Sequence, residues 1–167
     1  ISRFTEIHRG RYDYSKAEIY GTDSYIEIGC PEKNHGPFRQ KVSAHLEGKG
    51  CPKCSLSKGE IAVARLLEKN EVKFEVEFGI EDGIDTKILR YDFLISGQKI
   101  LLEYDGEQHY RPVTFGGMSK EKAIKVHNLI KSRDERKDLW ASKNGYKLIR
   151  IKYDQDIETV LKNELII

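Results

Sequence analysis

Between Arg90 and Tyr110 the chain reads RYDFLISGQKILLEYDGEQHY. The alternating Tyr, Phe, Leu and Ile residues predict two buried strands joined by a tight turn at Ser96-Gly97, yet Asp92, Glu103 and Asp105 interrupt the pattern with carboxylates, and His109 follows closely. Ionised carboxylates buried side by side are costly unless a cation, a shared proton or partial exposure relieves them. Among cations, a divalent metal suits oxygen ligands best. Asp92 and Glu103 are expected on adjacent strands, about 4.8 Å apart in the pairing direction, so both can reach one ion. Asp105 lies two residues beyond Glu103 and shares its face, where it can bind metal or orient a water. His109, with an unperturbed pKa of about 6.5, suits the removal of a proton from water near neutral pH.

A second set of residues has the chemistry of a different metal. Cys30 opens CPEKNHG, with His35 five residues on, and Cys51 and Cys54 form CPKC after a gap of 15 residues from the histidine. Two paired half-sites supplying Cys, His, Cys and Cys close a tetrahedral zinc site, with the CPxC knuckle turning two thiolates toward one point. Four protein ligands leave no open position, so a structural Zn²⁺ is expected. His8 and His45 remain outside this set and are expected to be surface or packing residues.

The elements that must position these residues fall into two stretches. Residues 1–57 read as a short helix, the aromatic stretch RYDYSKAEIY, and a zinc ribbon whose hairpin is formed by SYIEIGC and GPFRQKVSAHL, with a helical turn near SAHLEGKG. A segment this short cannot build a sufficient core, and metal binding would replace it. Residues 58–167 begin with a helix in SKGEIAVARLLEKN, where Ser57 and Glu60 have capping-box spacing. Strands follow in VKFEVEFGI, ILRYDFLI and KILLEYDG, the first two joined by a loop through EDGIDTK. An irregular crossover, GEQHYRPVTFGGMS, leads to one long helix from Ser119 to Gly145, then a strand in YKLIRIKYD and a closing amphipathic helix in DIETVLKNELI. The fold class is therefore α+β: a small Cys3His zinc ribbon followed by an α-β-β-β-α-β core with a C-terminal helix.

Composition sets the outer bounds. At 167 residues, 38% hydrophobic and 34% charged, the chain fits one ordinary globular domain or two small ones. No apolar run reaches membrane-spanning length and no charged stretch precedes a short apolar one at the start, so neither membrane insertion nor secretion is expected. A cytoplasmic or nucleoid-associated setting is the expectation. A net charge of +2 is too small to argue nucleic-acid binding, so the distribution of charge matters more.

The order α-β-β-β-α-β resembles the core of the restriction-endonuclease-like fold, the PD-(D/E)XK nucleases. Asp92 stands in the place of the first acid and Glu103 in that of the second, eleven residues on. Where that family usually has lysine, this chain has Asp105. The departure resembles the very-short-patch-repair (Vsr) mismatch nickases and the EDxHD homing endonucleases, in which a helix glutamate precedes the acid motif, a histidine follows the third strand and an aspartate lies in the next long helix. Glu60, Asp92, His109 and Asp134 occupy those places, and GYKLIRI matches the strand that follows. The segment RYDYSKAEIY to CPKC looks like the zinc module fused to such nucleases in phage-encoded proteins. The resemblance implies a DNA endonuclease dependent on Mg²⁺ or Mn²⁺, with Asp92, Glu103 and Asp105 at the ion and His109 as general base. Glu60 and Asp134 would orient those groups or hold a second ion.

Phosphodiester hydrolysis needs a nucleophilic water, neutralisation of charge in the transition state and help for the departing oxygen, all of which bound Mg²⁺ can assist. The partner implied is double-stranded DNA. Residues 3–57 have nine Lys and Arg against seven acids, interleaved with tyrosines, and the long helix from Lys120 to Lys143 has eight against four. Arg9, Arg11, Arg39 and Lys41 in the first stretch, and Arg111, Lys120, Lys122, Lys125 and Lys131 in the second, are candidate phosphate contacts. One set of acids and no heptad seam imply one centre per chain and a monomer or weak dimer. The alternative is a non-catalytic zinc-containing module, binding nucleic acid or protein, on a decayed nuclease fold.

Overall fold

The structure is a computed structural model that describes residues 1–33, 35–84, 88–114 and 116–165. Residues 85–87 of the expected EDGIDTK loop, and residues 34, 115 and 166 of the other expected segments, lie outside the described residues. The chain divides into two compact units, Ile1–Leu56 and Ser57–Ile167.

In the first unit, helix α1 (Ser2–Ile7) precedes an antiparallel hairpin of β1 (Tyr25–Gly29) and β2 (Pro37–Lys41), followed by the short helices α2 (Val42–Leu46) and α3 (Pro52–Ser55). Ile26 and Ile28 alternate inward from β1 and join Phe4, Tyr12, Tyr14, Val42 and Cys51 in a small core. His45 is a core residue, fully buried among Phe4, Tyr12, Tyr14 and Phe38. Its Nδ1 lies 2.9 Å from the Lys49 carbonyl, which can only accept, so Nδ1 is the protonated nitrogen and Nε2 accepts from the Tyr14 hydroxyl at 2.9 Å. Burial pushes its pKa down to about 4, the Lys49 carbonyl opposing, and the stacked His8 adds to the fall. The stability that neutral His45 contributes is thus present above the unfolded value of about 6.5 and is lost as pH falls toward about 4.

The second unit has the expected order of elements. It comprises α4 (Lys58–Lys69), β3 (Phe74–Ile80), β4 (Leu89–Ile95), β5 (Ile100–Asp105), α5 (Lys120–Lys143), β6 (Lys147–Lys152) and α6 (Ile157–Leu165). The sheet order is β3-β4-β5-β6, antiparallel except for the parallel pair β5–β6, which α5 connects. The turn between β4 and β5 spans four residues, Ser96–Lys99, rather than the two expected, and Gly97 takes its left-handed φ of +77°.

Alternation along β5 sends successive side chains to opposite faces. Glu103 meets Lys137 of α5, whereas Tyr104 lies against Gly59 of α4. The sheet is therefore covered by α5 on one face and by α4 with α6 on the other, and the carboxylates look toward α5. Gly59 allows α4 its close approach: a Cβ there would stand 2.0 Å from the Tyr104 ring. Replacing an exposed helical glycine by alanine ordinarily stabilises by about 1 kcal/mol. Here the sign reverses, and Gly59→Ala should destabilise the second unit by about 1–3 kcal/mol, the cost of overpacking. Denaturant unfolding of the variant checks this.

Candidate active site and metal centre

Cys30 leaves the end of β1, His35 precedes β2, Cys51 caps α3 and Cys54 lies within it. Their ligand atoms all lie within 4.8 Å of one another. Cys30 Sγ is 3.7 Å from Cys54 Sγ, and His35 Nδ1 is 3.6, 3.7 and 3.3 Å from the sulfurs of Cys30, Cys51 and Cys54. Tetrahedral zinc with Zn–S of about 2.3 Å and Zn–N of about 2.0 Å has edges of about 3.5–3.8 Å, so the group could hold a zinc ion. Burial, reinforced by the neighbouring cysteines, pushes the Cys54 thiol up to about 12, and burial pushes the Cys51 thiol up as well. Main-chain and aromatic groups hold the knuckle: Cys51 N–H donates to the Tyr12 hydroxyl at 3.0 Å, and that hydroxyl needs a glycine at Gly50, where a Cβ would lie 2.3 Å away. Arg11 Nη2 stands 3.5 Å from Cys54 Sγ and 3.0 Å from Glu32 Oε1.

On the second unit, β4 and β5 pair regularly up to Phe93↔Leu102, and the next residues are Asp92 and Glu103. The ladder changes there, with Asp92 Oδ2 accepting the Tyr104 N–H at 2.7 Å. On the other side of Asp92, between the pairs Val76↔Phe93 and Phe78↔Tyr91, Glu77 of β3 has a left-handed φ of +54°. A non-glycine residue costs about 1–2 kcal/mol in that conformation, so the backbone is strained next to the acid. Burial pushes the Asp92 carboxyl up to about 6 against the Tyr104 hydrogen bond, with Glu60 adding to the rise.

Glu103 is 2% exposed, and both its oxygens accept from Lys137 Nζ, at 2.7 and 2.8 Å. Burial and then the Asp92 charge push it up to about 7 despite that lysine. Asp105, 3% exposed, is gripped by Arg150 Nη1 at 2.9 and 3.1 Å and accepts from the Tyr110 hydroxyl at 3.3 Å. His109, set by a 3-10 turn over Glu107–His109, places Nδ1 2.8 Å from Asp134 Oδ2 and 3.5 Å from Asp105 Oδ1. The Asp134 hydrogen bond raises the His109 pKa against burial. Burial raises Asp134 in turn, but His109 and Arg150 outweigh it and leave that carboxyl below its usual value. Since Nδ1 faces a carboxylate, it holds the proton, and Nε2 has no hydrogen-bond partner among the described residues.

The structure thus brings Asp92, Glu103, Asp105, His109 and Asp134 to one region. Glu60 feels that region electrostatically, but its side chain accepts from the Ser57 N–H at 2.9 Å and completes the capping box. Asp105, expected at an ion, is already matched by Arg150. Lys137 and Arg150 were not anticipated as site residues. Lys137 is 7% exposed on the stripe of α5 that also buries Ala123 and Ala141, and a lysine on an apolar stripe is its sequence signal. Arg150 faces Glu103 in the parallel register, a relation that no local pattern encodes. Of the candidate phosphate contacts, Arg9, Arg39, Lys41, Lys120, Lys122, Lys125 and Lys131 are exposed, whereas Arg11 pairs with Glu32 and Arg111 with Glu107.

These features define an α+β protein with a four-stranded mixed sheet in one unit and a Cys3His group in the other. Residues 1–55 match the family described as "Protein of unknown function (DUF723)", a span that contains all four Cys and His ligands and none of the sheet. No curated protein and no solved structure matches the chain. Among the described residues no helix is long and apolar enough to cross a membrane.

Protein purified without chelator should contain about one zinc per chain, read by elemental analysis. Cys51→Ser should lose that metal and the fold of the first unit, while the unfolding transition of the second unit, which has its own core, persists.

Proposed function

We propose that the second unit is a metal-dependent DNA endonuclease centre on a restriction-endonuclease-like core, served by a zinc-stabilised first unit that helps to bind double-stranded DNA. The observation that supports this most is the gathering of Asp92 and Glu103 with the His109–Asp134 pair in one region. Two buried carboxyls held above their usual values, Glu103 by burial and the Asp92 charge and Asp92 by burial and the Glu60 charge, mark a place where added positive charge is favourable, and their number fits Mg²⁺ or Mn²⁺, which keeps most of its waters and takes one or two protein carboxylates. When bound, such an ion supplies charge neutralisation at the phosphate and activation of a water. Asp92 and Glu103 would hold it. Asp105, neutralised by Arg150, is a positioning residue for His109 and Tyr110 rather than a ligand.

His109 has the geometry of a general base. Asp134 fixes the ring and its proton at Nδ1, leaving Nε2 to accept a proton from water, and stabilises the imidazolium that results. Lys137 places Glu103 and favours its charged form against burial, and its ammonium adds positive charge where a phosphate would approach. The attacking water would lose its proton to Nε2, and the departing 3′ oxygen would regain one from solvent.

Plasmid nicking in Mg²⁺ tests the proposal. Asp92→Asn and Glu103→Gln should each abolish cleavage while DNA binding persists, and His109→Ala should slow it by about 100-fold or more. Because His109 must be neutral to act and its pKa is raised, the rate should climb as pH rises through a value above about 6.5. Asp134→Asn removes the partner that raises it and should move that limb to lower pH. Wild-type cleavage by either acid variant would overturn the assignment.

A further inference from the structure

The hairpin of the first unit has two unlike faces. Ile26, Ile28 and Phe38 turn inward, while Tyr25, Arg39 and Lys41 turn outward. Tyr25 is 55% exposed, so its ring is available for contact. Lys41 stands opposite Tyr25 in the ladder, and the Arg39 guanidinium lies 6.0 Å over the Tyr25 ring. Glu27 is the direct cross-strand neighbour of Arg39, yet its carboxylate turns to Lys16 at 3.9 Å. Among the described residues neither Arg39 nor Lys41 has an ion pair. The face therefore presents two unneutralised cations around an exposed ring. It is held from behind, because Cys30 follows β1 directly and His35 comes just before β2, so bound zinc would clamp both ends of the hairpin opening.

We infer that this outward face of β1–β2, through Arg39, Lys41 and Tyr25, is the surface by which the first unit enters the major groove of duplex DNA; the inference rests on the DNA-binding part of the proposed function. The charge is complementary to phosphate, and a two-stranded ribbon is one of the few elements that the major groove admits. Arg39, oriented by the Tyr25 ring beneath it, has the planar donors that match a guanine edge. Lys41 suits the flanking phosphate, and the Tyr25 ring offers apolar contact to a thymine methyl or a sugar.

Fluorescence anisotropy of the zinc-loaded full chain on a mixed-sequence 20-base-pair duplex, without added divalent metal, tests this. Arg39→Ala and Lys41→Ala should each weaken binding by about tenfold, and each lost phosphate contact should reduce the salt-dependence slope by about 1. Tyr25→Ala should weaken it by a smaller factor, and Lys49→Ala, whose side chain already pairs with Glu47, should bind like the wild type. Zinc content and circular dichroism establish that each variant is folded, and the charge reversal Lys41→Glu provides a second route should one not be. Methyl green, a major-groove ligand, should compete, and the minor-groove ligand netropsin should not. Wild-type affinity in Arg39→Ala and Lys41→Ala, competition by netropsin alone, or tighter binding to the single strand than to the duplex would overturn the inference. These readouts are independent of cutting, so the hairpin assignment stands or falls separately from the nuclease centre.

Discussion

Glu103 and Asp105 lie two residues apart on one face of β5, both nearly inaccessible to water. Two buried anions at that spacing are tolerable only with cations brought to them, since removing one partner of a buried pair costs about 3–5 kcal/mol. The fold brings Lys137 from α5 and Arg150 from β6. That requirement explains why α5, charged along most of its length, turns Lys137 into its buried stripe, and why β6 must return parallel to β5 in the register that sets Glu103 opposite Arg150. Arg150 also reaches Asp138 and Asp134, so the β6 strand and the α5 helix are tied to each other through the same charges.

The compensation is uneven, and the unevenness has chemical content. Asp105 has a whole guanidinium, whereas Asp92 has only a main-chain N–H and Glu103 shares one ammonium with the Asp92 charge. Negative charge is thus least compensated at Asp92 and Glu103. The first unit has the same problem in a softer form. Three cysteine sulfurs crowd one histidine nitrogen around a space of zinc dimensions, within a core otherwise made of a few aromatic rings and a neutral, buried His45. In both units the sequence concentrates donor atoms beyond what the resident side chains can satisfy.

Much of this was legible in the sequence because it is local. Ligand spacing in CPEKNHG and CPKC, the capping box at Ser57 and Glu60, and alternation through Asp92 and Glu103 depend on neighbours a few residues away, and the order of elements followed from the same periodicities. What was missed is long-range. Lys137 is 34 residues from Glu103 and Arg150 is 45 from Asp105, so their pairing depends on strand order and helix placement. His45 was expected at the surface or in packing and proves to be packing, but its Tyr14 partner, 31 residues away, was not legible. For Asp105, the parity with Glu103 that suggested an ion is visible in the sequence, and its guanidinium partner is not.

The measurement closest to the central claim, that Asp92 and Glu103 form a divalent-cation site, is calorimetric titration of Mn²⁺ into the zinc-loaded chain, repeated in buffers of different ionisation enthalpy. With the two carboxyls held up to about 6 and about 7, the pair retains about one proton at pH 6.5, which the incoming ion must expel. The account predicts one Mn²⁺ per chain, with about one proton released at pH 6.5, almost none at pH 8.5, and no binding by Asp92→Asn. Equal binding by Asp92→Asn, or no binding by the wild type at either pH, would contradict it.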